Sequence, residues 1–232
     1  MLVFGHRGVK KTSPENTIAA IHDAIGQGAD GIEIDIQLTR DGVPVVIHDP
    51  TLLRTHGKRV TISKVSFTEL RELTAKQPVP SLGEVLDIFW KKTYFNIEVK
   101  TKNTGKAVVS LLASDYIKTE EDWKYCFISS FKVRELWQAR HLSKNVQLAL
   151  IHNRTPYTFF WYHRKLKFSA VGFHKHYTQL IATVVAKRIG LHTYVYTVNK
   201  APTIRRLQKE GFDAVITDFP ARAIKSLTKA GK

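Results

Sequence analysis

Two pairs of ionisable residues stand two positions apart in strand-like segments of the sequence. Glu33 and Asp35 alternate with isoleucines, and Glu98 and Lys100 are separated by one valine. Because residues i and i+2 of a β-strand point to the same face, each pair predicts two charged side chains on one side of a sheet. Carboxylates buried together must be paired or bind a cation, since burying them alone costs too much free energy. A salt-bridged edge strand is the alternative for Glu33 and Asp35.

The carboxylates Glu33, Asp35 and Glu98 together indicate a metal site. Carboxylate oxygens, with water and a substrate oxyanion, suit a hard divalent cation such as Mg2+ or Ca2+ and match zinc poorly. No pair of cysteines and no His-Glu-x-x-His sequence offers a competing arrangement. We therefore expect a divalent-cation site built from these three residues, with the number of ions left open.

Two histidines stand where acid–base chemistry is expected. His6, with Arg7, directly follows a short apolar run, and His48 ends another such run. The C-terminal ends of barrel strands carry the active sites of α/β barrels. The segment 14–17 follows, where Asn16 is predicted to be the N-cap of a helix. Glu15 either caps that helix or orients the site.

The order of predicted elements indicates the fold. Short runs rich in β-branched and aromatic residues alternate with segments of helical apolar spacing, and this alternation predicts a parallel sheet covered by helices, a (β/α)8 TIM barrel in one domain, 1–232. The strand candidates are 2–5, 31–36, 43–48, 94–99, 126–130, 146–151, 170–173, 193–198 and 214–217. The helix candidates include 17–28, 82–92, 132–141, 179–190 and 201–211.

Nine strands are one too many for an eightfold barrel, and the turn Arg40-Asp41-Gly42 explains the surplus. So short a link can join an antiparallel hairpin but not a parallel crossover. The hairpin predicts that Glu33 and Asp35 lie near His48. The following stretch, about 50–80, is the least regular part of the sequence and is expected to be a long excursion from the barrel.

These segments resemble the glycerophosphodiester phosphodiesterase family over nearly the full chain, from His6 to Pro220. The family's elements stand here in order as His-Arg-Gly at 6–8, Pro-Glu-Asn-Thr at 14–17, Glu-x-Asp at 33–35, Thr-x-Asp-Gly-x-x-Val-x-x-His-Asp at 39–49, Glu-x-Lys at 98–100 and Thr-Val-Asn at 197–199.

The resemblance implies hydrolysis of glycerol-linked phosphodiesters in a phospholipase-C-like barrel. It implies that Arg7 and Lys100 contact the phosphate and that His6 and His48 act as acid and base. Which histidine begins as base stays open, as does the choice between a cyclic phosphate intermediate and direct attack by water. The resemblance further implies that the three carboxylates bind the metal, Mg2+ or Ca2+.

Aromatic residues indicate where the rest of the substrate would lie. Tyr196 stands where the family often has tryptophan, so an aromatic wall over the glycerol or leaving group is expected to persist. Phe131 is a second candidate contact and equally a candidate for the barrel core. Asp218 resembles the family's closing segment and is interpreted as structural. The other histidines, His152 among them, show no partner spacing, and most are expected at the surface.

The charge is uneven along the chain. The net charge is +16, and the second half, 117–232, carries 21 basic and 7 acidic residues. Such a surface favours anionic partners, among which charge alone does not choose. Nucleic acid is not expected, because no recognition module is present, and a peripheral contact with an anionic membrane is a candidate besides the small-molecule substrate. The aromatic and basic stretch 157–167 either seats a helix at that membrane or packs its aromatics on the barrel.

The remaining composition indicates a cytoplasmic chain. Its one cysteine, Cys126, excludes an internal disulfide and is expected in the core; no apolar run is long enough to cross a bilayer, and no secretory signal is visible. The oligomeric state is left open. Two other functions stay open: a lysophospholipase D acting on lyso-lipids at a membrane, and a barrel that binds anionic lipid without catalysis.

Overall fold

The computed structural model describes residues 1–9, 11–152, 157–176, 178 and 180–228. In these residues nine strands form one sheet, and eight of them close into a parallel barrel, which confirms the TIM barrel expected from the sequence. The strands are β1 (Leu2–His6), β2 (Gly31–Leu38), β3 (Pro44–Val46), β4 (Tyr94–Val99), β5 (Cys126–Ser130), β6 (Leu148–His152), β7 (Ala170–His174), β8 (His192–Tyr196) and β9 (Ala214–Thr217).

Helices cover the outside of the barrel, and the expected ones are present with differences only at their ends. They are α1 (Ile18–Gly26), α2 (Leu53–His56), α3 (Phe67–Leu73), α4 (Leu82–Phe89), α5 (Thr104–Leu111), α6 (Val133–Leu142), α7 (Thr158–Leu166), α8 (Leu180–Arg188), α9 (Ala201–Lys209) and α10 (Pro220–Thr228). Over the described ranges, none of the helices is long and apolar enough to cross a membrane.

Strand β2 shows how the barrel sorts its side chains. The alternate residues Ile32, Ile34 and Ile36 are fully buried in the main hydrophobic core, while Glu33 and Asp35 occupy the positions between them. Strands of a barrel are buried on both faces, because helices cover one face and the barrel interior the other. The alternation therefore directs both carboxylates to the face opposite the isoleucines. The cysteine Cys126 is buried in the same core, as expected.

The surplus strand is the second arm of the expected hairpin. Among the strands named above, β3 pairs with β2 alone and runs antiparallel to it, with Ile36 opposite Val46 and Leu38 opposite Pro44. Within the barrel, β2 pairs with β1 and β4. The backbone after β3 continues the pairing toward the site, because Ile47 N donates to Asp35 O at 2.9 Å. The hairpin thus brings the residue after Ile47, His48, close to Asp35.

The excursion at about 50–80 is more regular than the sequence indicated. It contains α2 and α3, and it packs a small apolar cluster of its own against the hairpin. A capping box stabilises the start of α3, since Ser66 Oγ accepts from Glu69 N and the Glu69 carboxylate accepts from Ser66 N. The excursion is therefore a packed layer beside the barrel.

One local expectation is wrong, and one of two open alternatives holds only in part. The N-cap of α1 is Thr17, whose Oγ1 accepts from Ala20 N at 3.2 Å, and Asn16 instead turns into the barrel. In α7, Phe159 is buried, but Phe160 and Trp161 are exposed, so most of the aromatic residues in this helix do not pack on the barrel. Packing of the aromatic residues on the barrel, the second alternative for 157–167, therefore holds for Phe159 but not for Phe160 and Trp161.

Candidate active site

Three carboxylates meet at the C-terminal ends of β2 and β4. Ligand oxygens of Glu33, Asp35 and Glu98 all lie within 4.8 Å of one another. Their closeness follows from strand register, because β2 and β4 are parallel neighbours in which Asp35 pairs with Glu98. Glu33 and Asp35 are almost completely buried. The structure therefore brings together all three residues that the sequence suggested as metal ligands.

Two cations contact this cluster. Lys100 Nζ lies 3.0 Å from Asp35 Oδ1 and 2.6 Å from Glu98 Oε1, and Arg7 Nε lies 3.0 Å from Asp35 Oδ2. Burial would raise the pKa of Asp35, but the charges of Lys100 and Arg7 outweigh burial and lower that pKa to about 2. Asp35 is therefore ionised at neutral pH.

The other two carboxylates are poorly compensated. Burial, then repulsion from Asp35 and Glu98, raises the pKa of Glu33 well above its usual range. Burial and Asp35 also raise the pKa of Glu98, although Lys100 opposes them. A cluster of oxygen donors short of positive charge fits a hard divalent cation, because such an ion would stabilise the ionised form of each carboxylate.

His6 connects the first and last strands of the barrel. Its Nδ1 lies 2.7 Å from Asp218 Oδ1, and its Nε2 lies 3.9 Å from Glu33 Oε2. Asp218 is itself fixed by Asn199, whose Nδ2 donates to Asp218 Oδ2 at 2.7 Å and whose Oδ1 accepts from Asp218 N at 2.9 Å. The ring of His6 is thus oriented through Nδ1, and its Nε2 is directed toward the carboxylate cluster.

His48 has a comparable partner from its own neighbour in the chain. Its Nδ1 lies 2.5 Å from Asp49 Oδ1, and Arg54 Nε donates to the other oxygen, Asp49 Oδ2, at 2.6 Å. Arg54 also donates through Nη2 to Glu15 Oε1 at 2.6 Å, the same oxygen that accepts from Arg7 Nη1 at 2.9 Å. Glu15 therefore orients the site rather than capping α1, and it connects Arg7 to the partner of His48.

Arg7 and Asn16 share an uncommon backbone conformation. Both have φ of 58°, in the left-handed region that few residues other than glycine adopt, and Asn16 N donates to Arg7 O at 2.9 Å. This conformation lets the Asn16 amide reach the barrel, where its Nδ2 donates to Asp35 Oδ2 at 3.0 Å. Asn16 is therefore a positioning residue for Asp35, which the sequence alone did not indicate.

An aromatic pair stands at the opening of the site. The rings of Phe131 and Tyr196 are 6.0 Å apart and nearly perpendicular, and Phe131 is 42% exposed. Tyr196 Oη donates to His152 O at 2.8 Å, which fixes the ring at the end of β6. Tyr196 lines a small cavity together with His6, Glu33 and Glu98. Phe131 is thus at the rim rather than in the core.

Several contacts of the site were not expected from the sequence. The missed or undervalued residues are Asn16, Gln37, Asp49, Asn199, Asp218 and His152, which is buried rather than at the surface. Gln37 extends the same-face pattern of β2 by two positions, and its Nε2 donates to His48 O at 2.8 Å. A local signal existed for Gln37 and for Asp49, which adjoins His48. For Asp218 the signal was its resemblance to the family's closing segment, and this did not indicate the contact with His6, which forms only when the barrel closes.

Comparison with known proteins agrees with this geometry. The model of the glycerophosphoryl diester phosphodiesterase family matches residues 6–222. The chain belongs to this family. It is 32% identical to a glycerophosphodiester phosphodiesterase of Caldanaerobacter subterraneus subsp. tengcongensis, with 99% of both chains covered, and 30% identical to one of Bacillus altitudinis, with 96% of both covered.

Solved structures of related proteins show the same architecture as this chain. The enzyme of Thermotoga maritima superposes with a TM-score of 0.82 at 27% identity, covering 97% of both chains. A phosphodiesterase of Oleispira antarctica, solved with the product sn-glycerol-3-phosphate, superposes with a TM-score of 0.87 at 23% identity, covering 98% of this chain and 97% of that one. The family, the barrel and the hydrolase class expected from the sequence are confirmed.

Proposed function

We propose that this phosphodiesterase hydrolyses glycerophosphodiesters, such as glycerophosphocholine or glycerophosphoethanolamine, to glycerol 3-phosphate and an alcohol in a metal-dependent reaction. One observation carries the proposal: two histidines, each held at Nδ1 by an aspartate, accompany three clustered carboxylates and two cations. Glycerol 3-phosphate as product is supported by its presence in the Oleispira antarctica relative.

The proposed metal ligands are Glu33, Asp35 and Glu98, and the proposed ion is Mg2+ or Ca2+. When bound, the ion supplies positive charge that stabilises the phosphate oxygens as the reaction proceeds. The donor set supports a hard cation, since it consists of carboxylates with no sulfur ligand. Arg7 and Lys100 are already at the carboxylate cluster, and we assign them to the non-bridging oxygens of the phosphate.

His6 and His48 are the proposed acid and base. In each histidine the aspartate occupies Nδ1, so Nε2 is the atom that exchanges a proton with the substrate. An aspartate that accepts from Nδ1–H fixes the tautomer in which Nε2 is unprotonated, and it stabilises the imidazolium form. One histidine removes the proton of the attacking hydroxyl, and the other protonates the leaving alkoxide. Tyr196 and Phe131 form the wall against the glycerol or the leaving group.

A substrate panel tests this function. Glycerophosphocholine and glycerophosphoethanolamine are incubated with Mg2+, Ca2+ or a chelator, and glycerol 3-phosphate is measured. Release that requires the cation and disappears in His6→Ala and His48→Ala supports the proposal. Full activity in chelator would refute the metal dependence. Phosphorus NMR of the same reactions identifies the attacking group, because a glycerol hydroxyl gives a transient cyclic phosphate and water does not.

A lysophospholipase D is the second candidate function. Exposed aromatic residues in α7, at the same end of the barrel as the site, favour access to lipid. Lysophosphatidylcholine and glycerophosphocholine compared at equal concentration discriminate the two, since a lysophospholipase D cleaves the lyso-lipid faster. The non-catalytic barrel is set aside because the relatives are enzymes and the catalytic groups converge here. The cytoplasmic location stays a prediction from the sequence.

A further inference from the structure

We propose that the catalytic rim formed after β5, β6 and β7 docks on an anionic membrane. The docking surface consists of the exposed apolar side chains of Phe131, Tyr157, Phe160, Trp161, Ile181 and Val184 and the basic residues around them. Docking itself is independent of the proposed function. Its consequence, that the enzyme receives phosphodiester headgroups from the bilayer, rests on that function.

The aromatic residues at the start of α7 are unusually exposed. Trp161 is 76% exposed and Phe160 is 52% exposed, with their rings 6.1 Å apart. Tyr157 precedes the helix and is also exposed. Adjacent exposed aromatic side chains in one turn mark an interaction site, because single exposed apolar residues are common but clusters of them are not. Tryptophan and tyrosine in particular favour the membrane interface, where the ring is buried and its polar group stays hydrated.

This turn lies close to the opening of the active site. Helix α7 follows β6, so it starts at the barrel end that carries the site. Two hydrogen bonds connect it to the aromatic wall: Tyr196 Oη donates to His152 O at 2.8 Å, and His152 Nδ1 lies 3.0 Å from Thr158 Oγ1 in the first residue of α7. A membrane that receives Trp161 would therefore face the cleft.

Neighbouring loops extend the apolar surface along the same rim. Phe131 follows β5 directly, and Ile181, 69% exposed, lies in the first turn of α8, which follows β7. Val184 is exposed one turn later. Because the connections after consecutive parallel strands share one end of the barrel, these side chains lie in the same sector of the rim.

The charge around this sector selects an anionic partner. The sequence from Leu136 to Lys209 contains no aspartate or glutamate and thirteen lysines and arginines. Arg164 and Lys165 are exposed in α7, and Lys167 follows the helix. Basic side chains near exposed aromatics favour an anionic lipid surface, which attracts the cations while the rings enter the headgroup region. Such pairing is less suited to nucleic acid, since no recognition module is present.

Vesicle binding of the full chain tests the docking surface. Vesicles of phosphatidylcholine, with and without phosphatidylglycerol, are sedimented with the protein in chelator, which removes any cation bridge to lipid. We expect binding that requires phosphatidylglycerol and weakens in about 0.5 M salt, where charges are screened within a few ångströms. Trp161→Ala should bind about tenfold more weakly, because one large aromatic side chain no longer enters the interface.

Leu142→Ala is the matched control. Leu142 is 48% exposed at the end of α6, within the same acid-free region but at the opposite end of the barrel. Its substitution should leave vesicle binding unchanged. Both variants should hydrolyse a water-soluble glycerophosphodiester at the rate of the unchanged chain, so that a failure of the proposed function is seen in this assay alone.

Three results would overturn the docking proposal. The first is no binding of the unchanged chain to anionic vesicles, and the second is equal binding by Trp161→Ala and Leu142→Ala. The third is concentration-dependent self-association in light scattering that Trp161→Ala abolishes, which would assign the surface to a second copy of the chain. Selective loss of vesicle binding in a monomeric Trp161→Ala variant supports the proposal.

Discussion

The imidazole Nδ1 of His6 lies 2.7 Å from Asp218 Oδ1, although 212 positions of sequence separate the two residues. They meet because β1 and β9 are parallel neighbours, with Gly5 opposite Thr217, and each residue follows that pair by one position. The contact therefore depends on closure of the barrel by its last strand. Orientation of a candidate catalytic histidine is thereby coupled to completion of the fold.

Replacing Asp218 should impair turnover more than substrate binding. In Asp218→Asn, the Nδ1 partner loses its charge, and the ring can adopt the tautomer with the proton on Nε2. We expect kcat to fall by about 10²- to 10⁴-fold, as when other histidine-orienting aspartates are replaced, with KM little changed. Nitrogen NMR of His6 should show a shift toward the Nε2–H tautomer, which a general loss of stability would not produce.

Asp213→Asn is the matched control for that variant. Asp213 precedes β9, and its Oδ2 accepts from Thr193 N at 2.7 Å and Thr193 Oγ1 at 2.9 Å, at the barrel end opposite the site. Its loss should lower the melting temperature without changing the His6 tautomer. If Asp218→Asn kept the kcat of the unchanged chain, the orienting role would be wrong.

Lys100 should oppose cation binding and still assist the reaction. Its Nζ lies 3.0 Å from Asp35 and 2.6 Å from Glu98, which are two of the three proposed ligands. In Lys100→Gln, removal of the positive charge should tighten Mg2+ binding severalfold, because the Lys100 ammonium and a cation bound by the same carboxylates would repel each other. At the same time kcat/KM should fall, because a phosphate contact is lost. Calorimetric titration and steady-state kinetics measure the two effects, and looser Mg2+ binding would contradict the assignment.

Cation binding should release a proton from the carboxylate cluster. Burial, then Asp35 and Glu98, raises the pKa of Glu33 well above its usual range, so the metal-free protein keeps this proton to a higher pH than an ordinary glutamate does, and a bound cation would displace it. Mg2+ affinity should therefore rise with pH until Glu33 is ionised.

Calorimetric titrations with Mg2+ in buffers of different ionisation enthalpy measure the number of protons that cation binding releases. The same shift has a stability consequence: the folded metal-free state binds the proton more tightly than the unfolded state, so its stability should fall as pH rises above about 4.5. Glu33→Gln should reduce both the proton release and this fall, and the part that persists is assigned to Glu98, whose pKa burial and Asp35 also raise. Unchanged proton release in Glu33→Gln would assign the proton elsewhere.

The sequence predicted the barrel well because its signals are local. All nine strands were predicted from short apolar runs along the chain. The hairpin and the three clustered carboxylates were predicted from short patterns in β2, β4 and the turn after Leu38. Same-face spacing along a strand survives folding unchanged, and parallel register then places Asp35 beside Glu98.

The remaining contacts required tertiary information. Asp218 reaches His6 only when the last strand closes the barrel. Asn16 reaches Asp35 because its backbone adopts the left-handed conformation, which the sequence did not indicate. The aromatic residues of α7 were ambiguous because helical spacing alone does not reveal which face a neighbour covers. Such features depend on how helices and strands pack against one another, and a short sequence pattern does not predict that packing.

Replacing Arg54 should slow turnover through the two carboxylates that Arg54 contacts, those of Glu15 and Asp49. Arg54 bridges Glu15 Oε1 and Asp49 Oδ2 at 2.6 Å each, from helix α2 outside the barrel. In Arg54→Gln, Asp49 and Glu15 lose a shared cation, so we expect kcat to fall by about tenfold as His48 and Arg7 become less well oriented. Arg71→Gln is the matched control, since Arg71 pairs with Glu84 on the outer surface. Equal kinetics in both variants would remove Arg54 from the site.

His152 should make the protein sensitive to acid. The ring is buried against Phe159 and Phe173, and among the described residues its Nε2 has no hydrogen-bond partner. Burial lowers the pKa of His152 to about 4 from the ordinary value of 6.5. Because the unfolded state takes up a proton first, stability should be fully present above pH 6.5 and decline as pH falls toward 4.

The decline assigned to His152 amounts to roughly 3.5 kcal/mol at most, from about 1.4 kcal/mol for each unit of pKa shift. His152→Gln carries no titrating ring, so its free energy of unfolding should lose this component while keeping the acid dependence of the carboxylates. Denaturant unfolding at several values between pH 4 and 6.5 gives the two slopes. Parallel curves for both proteins would show that His152 is protonated as readily in the folded state as in the unfolded chain, and burial would then not control its charge.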